Sequence, residues 1–278
     1  MTQVVAPKSL ILDLLRVAAP RAIPVRAFVA IGSLFGLSGN ALRVALTRSV
    51  AQGIVESDER GSYRLAPGAS ALSAHVEEWR LGERRVKSWS GAWLACWLPR
   101  GAERSSRRRS LRALELAGFR QGLDGLFVRP DNLAAGSAPT FEKVRRLGLE
   151  EEAHTFGADD FEARLLAIWQ SSLWNTNKIV KRYRSARENL ERSFSRVEAL
   201  PVGQAAVETF LLGGSAIRIL ATDPLLPDAM ISTADRAALT DSMLAYDALG
   251  RKAWSKLLVD VRVAEAPVHL SAIAGGAA

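Results

Sequence analysis

The chain carries one cysteine, Cys96, and three histidines, His75, His154 and His269, in 278 residues. A single thiol forms no intrachain disulfide and no cysteine-based metal site, and histidines this far apart have none of the short spacings, such as HxxxH or HxE, that bring two ligands to one ion. No metal or cofactor is expected, and a reducing, cytoplasmic location fits the cysteine usage. Apolar runs of the roughly 18 to 20 residues needed to cross a bilayer are also missing, so no membrane association is expected. The opening stretch MTQVVAPKSLILDLLRVAAP is broken by Asp13 and Arg16 and has no basic leader, which argues against a secretory signal. GxSxG, P-loop and GxGxxG patterns are absent as well, so neither a serine nucleophile nor a glycine-rich phosphate cradle is expected, and no catalytic residues are assigned.

What the chain does have is positive charge: 37 Lys and Arg against 29 Asp and Glu, a formal net charge of +8. That surplus suits contact with a polyanion. It is unevenly spread, with 12 basic against 7 acidic side chains in residues 1–99, 8 against 3 in residues 100–130 and 7 against 2 in residues 176–196. Residues 131–175 and 197–278 are acidic on balance. Length and charge distribution together suggest three domains, over residues 1–86, 87–158 and 159–278, in an α+β protein.

In the first part, KSLILDLLRVAA (8–19) repeats Leu and Ile at helical spacing until Pro20. Pro24, placed where a first-turn proline is tolerated, opens a second helix that runs to Gly36. Ser38 is a suitable N-cap for a third helix, with Leu42, Ala45, Leu46 and Val50 as its buried stripe and Gly53 at its end. IVESDERGSYRLAP then gives two short runs around the turn DERG, the pattern of a β-hairpin. Three helices and a hairpin, with a short glycine-containing turn between the second and third helices, is the order of a winged helix-turn-helix, whose third helix enters the DNA major groove. The side chains of that helix outside the stripe are Asn40, Arg43, Val44, Thr47 and Arg48. They include two arginines, an amide and no carboxylate. An ordinary solvated face mixes acids and bases, whereas a face opposed to phosphates avoids acids. Ser38, Asn40, Arg43, Thr47 and Arg48 are therefore the candidate DNA-binding residues of the helix, and Arg60, Tyr63 and Arg64 those of the hairpin.

In the second part, Trp89, Trp93 and Trp97 recur every fourth residue, but WLACWL between Gly91 and Pro99 reads better as a short buried strand. A strongly basic helix to Gly118, two strands around Asp124 and Gly125, a helix over PTFEKVRRLG and a strand in LEEEAHTFGA follow. This βαββαβ order is the ferredoxin-like pattern, which often forms dimers by sheet pairing. Core packing is the simpler role for the tryptophans, as it is for Trp169, Trp174 and Tyr183. From about Asp159 the sequence is helical throughout, with GGS (213–215) read as a helix break, DPLLPD as an interruption and HLSAIAGGAA as a frayed end.

Four stretches together resemble the PaaX-type transcriptional repressors of phenylacetic acid catabolism. FGLSGNALRVALTRSVAQGIV with its hairpin is similar to that family's recognition helix and wing. WSGAWLACWLP with the arginine-rich helix and LAGFRQGLDGLFVRP resembles its central domain, IWQSSLWNTNKIVKRYRSARENL the following helix, and DPLLPD its C-terminal signature. The resemblance implies a homodimeric repressor that binds a double-stranded DNA operator of an aromatic-acid degradation operon and is released by an aryl acyl-CoA effector such as phenylacetyl-CoA. The effector's site is not implied. Two positions depart from the family: Gly39 stands where an acidic residue is usual, and STADRA where Trp-Pro-Gly follows the DPLLP segment.

Two other readings compete. A ferredoxin-like domain beside a basic helix also resembles small Cas2-type nucleases, but these end their first strand with a metal-binding aspartate, and here that position runs Cys96, Trp97, Leu98, Pro99. EEEAH (150–154) and ADD (158–160) concentrate acid, yet a solvated strand end and a helix N-terminus account for them. The other alternative is an effector-independent nucleic-acid-binding or assembly protein. Arg107, Arg108 and Arg109 point around most of a helix, so they do not serve a single ligand.

Overall fold

The structure, a computed structural model, describes residues 5–18, 21–58, 61–67, 70–99, 101 and 103–265. It is mixed helix and sheet, with two antiparallel sheets among these residues. No helix among them is long and apolar enough to cross a membrane. The chain divides into two compact units, one of residues 1–73, 190–214 and 245–278, the other of residues 74–189 and 215–244.

The first unit begins α1 (Pro7–Ala18), β1 (Ile23–Pro24), α2 (Val25–Leu34), α3 (Gly39–Ala51), β2 (Val55–Ser57) and β3 (Ser62–Leu65). The three strands pair antiparallel in the order β1-β3-β2, with Ile23 opposite Tyr63 and Val55 opposite Leu65. The short strand β1 carries no alternation that a sequence pattern could show. Pro24 sits at the N-cap of α2 in an extended conformation, one place before the first helical turn, and there it pairs with Ser62. Leu10, Ile11, Leu14 and Leu15 of α1 pack with Phe28 and Ile31 of α2, Leu42 and Leu46 of α3, and Val55. At about 1.5 to 3 kcal/mol for each such side chain fully buried, this cluster dominates the stability of the unit.

Three long helices, α8 (Thr176–Val197), α9 (Val202–Ala221) and α10 (Thr233–Glu265), each have part of their length in this unit and part in the second. Helix α9 runs without interruption through Gly213, Gly214 and Ser215, so the expected break is absent. Each glycine costs a helix about 1 kcal/mol relative to alanine, and the tertiary packing of flanking Ala206, Ala216 and Leu220, all buried, outweighs that cost. Phe210 of α9 and Trp254 of α10 pack against the cluster built by α1, α2 and α3. The expected fraying of HLSAIAGGAA falls on residues outside the described ones.

In the second unit α4 (Ser70–Glu77) leads into a 3₁₀ segment (Glu78–Arg85), then β4 (Trp93–Trp97), α5 (Arg104–Leu116), β5 (Arg120–Leu123), β6 (Leu126–Pro130), α6 (Ser137–Arg146), β7 (His154–Ala158) and α7 (Ala163–Ser172). The sheet order is β5-β6-β4-β7, all pairs antiparallel. Alternation along β4 sends Leu94 and Cys96 into a core with Leu114, Phe119, Phe127 and Val144. Burial there pushes the Cys96 thiol up to about 12, so it is an inert apolar filler. Trp93 points the other way and meets Trp89, Trp169 and Trp174 at ring-centre distances of 5.7, 5.5 and 6.3 Å. The third member of the stripe, Trp97, is 44% exposed and stacks on His154.

The DPLLP segment is held in this unit by buried arginines. Arg236, with a fully buried side chain, donates through Nε and Nη2 to both oxygens of Glu83 at 2.8 and 2.7 Å and through Nη1 to the Leu226 carbonyl at 3.1 Å. Burial opposes its charge, but the Glu83 hydrogen bonds and the nearby Asp223 carboxylate hold its pKa above the usual arginine value. Asp223 is buried too, which raises its pKa against the pull of Arg236; it accepts from the Tyr183 hydroxyl and from the Leu225 amide. Arg129, 1% exposed, donates to the carbonyls of Ala117 and Pro130 and to Asn132 Oδ1, and Asn132 Nδ2 donates to the Leu225 carbonyl at 2.7 Å. Burial draws the Arg129 guanidinium down to about 10. Gly118, at φ +84°, lets the segment approach this closely, since a Cβ there would lie 2.8 Å from the Pro224 carbonyl oxygen and 3.0 Å from Arg129 Nη1.

Candidate nucleic-acid interface

Helix α3 begins as its cap residue dictates. Ser38 is extended (φ −73°, ψ 146°) and its hydroxyl accepts from the Ala41 amide at 3.2 Å, satisfying one of the early donors that a helix leaves unpaired. The far end closes through Gly53, at φ +64°, whose amide donates to the Val50 carbonyl. Leu42 and Leu46 are buried, as is Ser49, whose hydroxyl donates to the Ala45 carbonyl at 2.8 Å, while Ala45 and Val50 are half-buried. The buried stripe is therefore Leu42, Leu46 and Ser49 with Ala45 and Val50 on its margins. A small polar side chain can join a core stripe when it returns its hydrogen bond to its own helix, so Ser49 carried no apolar signal by which to find it.

The opposite side of α3 is exposed at Asn40, Arg43, Val44, Thr47 and Arg48. These positions advance by three and four residues, so the structure brings them onto one face. Thr47 Oγ1 donates to the Arg43 carbonyl at 3.0 Å. Among the described residues Arg43 and Arg48 have no ion-pair partner, and no carboxylate lies on their face. Arg43 folds back toward the start of the helix: a Cβ at Gly39 would lie 3.3 Å from its Nη1 and 3.2 Å from Val29 Cγ1. A two-carbon side chain in place of Gly39 would therefore bear directly on the position of that guanidinium.

The hairpin places its three candidates differently. Arg60 lies outside the described residues. The Tyr63 ring is half-buried and meets Phe28 edge-on at 6.2 Å, so its apolar body belongs to the core of the unit. Arg64 is exposed and its Nε donates across the strands to Glu56 at 3.0 Å, an exposed pair of the kind worth at most about 1 kcal/mol and open to exchange for a phosphate. The turn is fixed by Asp58, whose carboxylate accepts from the Ser62 amide at 2.8 Å.

The three consecutive arginines of α5 diverge as expected: Arg108 and Arg109 are exposed, and Arg107 donates to the Pro99 carbonyl at 3.3 Å. Within EEEAH, Glu150 is buried and accepts from the Ser106 hydroxyl, while Glu151 and Glu152 are exposed. Sequence reasoning missed Arg129, Asn132 and Arg236, whose roles depend on partners as far as 153 residues away.

Residues 6–69 match the family model described as PaaX-like protein, a family of transcriptional regulators, and the match takes in α3 and the hairpin. No curated protein matches the chain. Among solved structures, the uncharacterized protein Rv0674 from Mycobacterium tuberculosis is similar, with a TM-score of 0.53 and 22% identity over 91% of this chain and 100% of that one; at that identity the likeness concerns the fold.

Proposed function

We propose that the chain is a sequence-specific, dimeric DNA-binding regulator, a repressor of an aromatic-acid catabolic operon that is released by an aryl acyl-CoA such as phenylacetyl-CoA. The observation that carries this reading is the exposed, acid-free face of α3, with Arg43 and Arg48 unpaired among the described residues and Asn40 and Thr47 beside them. Such a face is suited to phosphates and to the acceptor edges of guanine, with Asn40 able to pair adenine. The order α1-β1-α2-α3-β2-β3 with a β1-β3-β2 sheet supports a winged helix-turn-helix, in which α3 enters the major groove and the β2-β3 turn reaches the backbone or the minor groove. The β5-β6-β4-β7 sheet with α5 and α6 supports the ferredoxin-like reading of the central part, and the exposed Trp97, Leu123 and Phe156 on its strands suit burial against a second copy. The PaaX-like match over residues 6–69 supports the regulatory role and favours a regulator over an enzyme; the aryl acyl-CoA is what the resemblance implies.

The test is a footprint on the promoter region beside the protein's own coding sequence, with and without phenylacetyl-CoA. The expected result is protection of an inverted repeat with half-sites about one helical turn, or a multiple, apart, lost when the thioester is added. Protection indifferent to sequence, or unchanged across a panel of acyl-CoA thioesters, would favour the effector-independent alternative.

A further inference from the structure

Within the first unit the end of α8, the loop after it, the start of α9 and the middle of α10 border a half-open cavity of about 290 Å³. Its walls are apolar: Val197, Leu200, Val202, Ala205, Leu249 and Ala253. Its rim is charged, carrying Lys252 and Lys256 against the single carboxylate of Glu198. Lys252 pairs with Glu198 at 3.5 Å, both side chains well exposed, and Lys256 has no ion-pair partner among the described residues. The cavity's volume lies just below the roughly 300 to 1,000 Å³ of small-molecule sites. The walls are braced just below it, where the Ser193 hydroxyl on α8 hydrogen-bonds both Glu208 of α9 and Tyr246 of α10, and Arg196 donates to the same Glu208 carboxylate.

The helix that supplies one wall of the cavity, α9, also packs against the end of α2, four residues before α3 begins. Ala205 faces the cavity, while Gly203 and Phe210, seven residues apart and so on one side of α9, face the end of α2: a Cβ at Gly203 would lie 3.4 Å from Leu34, and the Phe210 ring meets Phe35 edge-on at 5.2 Å. Phe210 also meets Trp254 of α10 at 5.8 Å. Leu34 and Phe35 lead directly into the turn that ends at Ser38, the N-cap of α3.

We propose that this cavity is the effector site: it takes the apolar tail of a small anion while Lys252 and Lys256 hold the anionic end, and occupancy shifts α9 against the α2–α3 turn and lowers affinity for DNA. This rests on the reading of the chain as a DNA-binding regulator and assigns the place and the coupling route of its effector. The anion competes with Glu198 for Lys252 and brings Lys256 a counter-charge, while the tail displaces water from apolar walls. Two sources share this chemistry: a free carboxylate, with its charge close to the tail, and an acyl thioester of coenzyme A, with its charge on more distant phosphates.

Calorimetric titration of the full chain with phenylacetate, phenylacetyl-CoA, coenzyme A alone and neutral phenylacetamide separates these sources. Saturable binding is expected for phenylacetate or its thioester, and weaker binding for the amide and for coenzyme A. Ala253→Trp, which fills the cavity, and the exposed double change Lys252→Glu with Lys256→Glu should each weaken binding about tenfold or more. Ligand should also raise the operator Kd of the wild-type chain about tenfold but leave that of either variant unchanged. Equal binding by wild type and both variants, no binding by either acid form, or equal affinity for the amide overturns the site. Binding that leaves operator affinity unchanged overturns the coupling. A chain that binds no DNA at all removes the regulatory reading, and the titrations still decide the cavity.

Discussion

Arg43 and Arg48 stand exposed on α3 with no ion-pair partner among the described residues, while Arg129 and Arg236 lie buried among carbonyls, an amide and carboxylates. The residue type is the same and the energetics are opposed. A buried guanidinium is tolerated only when its donors are matched, and removing one side of such a pair leaves an uncompensated charge. An exposed guanidinium without a partner adds little to stability and keeps its donors for a ligand. The number and identity of its partners, rather than its presence in an arginine-rich stretch, separate an arginine tied into the fold from one whose donors remain open.

The largest effect should come from the buried side of this contrast. Arg236→Ala strands the Glu83 and Asp223 carboxylates and is expected to cost about 3 to 5 kcal/mol of stability in urea denaturation. A loss under 1 kcal/mol would show that the arginine is dispensable to the fold.

A buried histidine, kept neutral rather than paired, sharpens the point through pH. Burial, with the Lys143 ammonium beside it, pushes His75 down from 6.5 to about 4, against the opposing pull of Glu78 and the Ala221 carbonyl. Its folded pKa lies below its unfolded one, so the unfolded chain binds the proton first. The stability associated with neutral His75 is fully present above pH 6.5 and is lost as pH falls toward 4, by about 3 kcal/mol. Denaturation midpoints measured between pH 4 and 7 should show that slope, and a His75→Asn chain should show much less of it; identical slopes would place the titration elsewhere.

On the exposed side, Arg43→Ala and Arg48→Ala should each weaken specific operator binding by about 1 to 3 kcal/mol while changing folding stability by under about 0.5 kcal/mol. Fluorescence anisotropy on operator and on scrambled DNA distinguishes base contacts, which relax specificity, from phosphate contacts, which weaken both alike. The smallest effect is at Gly39. An aspartate there would hold the Arg43 guanidinium four residues along the helix and bring a negative charge to the phosphates, weakening operator binding by about 0.5 to 1 kcal/mol with a slight gain in helix stability. Tighter binding by that variant would mean that Arg43 is not poised for DNA.

The legible parts of the chain were those written in local chemistry. The Ser38 cap, the Leu42 and Leu46 stripe, the hairpin around Asp58 and the strand through Trp93 follow from spacing and side-chain type, and each appears in the structure. The acid-free face of α3 follows equally, because helical periodicity alone decides which residues share a side. Two other features turn on partners distant in sequence. Strand β1 is two residues long and exists because β3 lies beside it, and α9 stays helical through Gly213 and Gly214 because its neighbours bury it.

By itself, then, the sequence determined the mixed helix and sheet composition, the basic surplus and the candidate face of α3, all consequences of periodicity and charge within a few turns of chain. Folding in three dimensions settled which arginines are tied into the fold, that Ser49 belongs to the core, and that α9 both lines a cavity and packs against the end of α2. Partners separated by tens of residues leave no local periodicity, and the cost of burying a charge is settled only by the groups that fold against it.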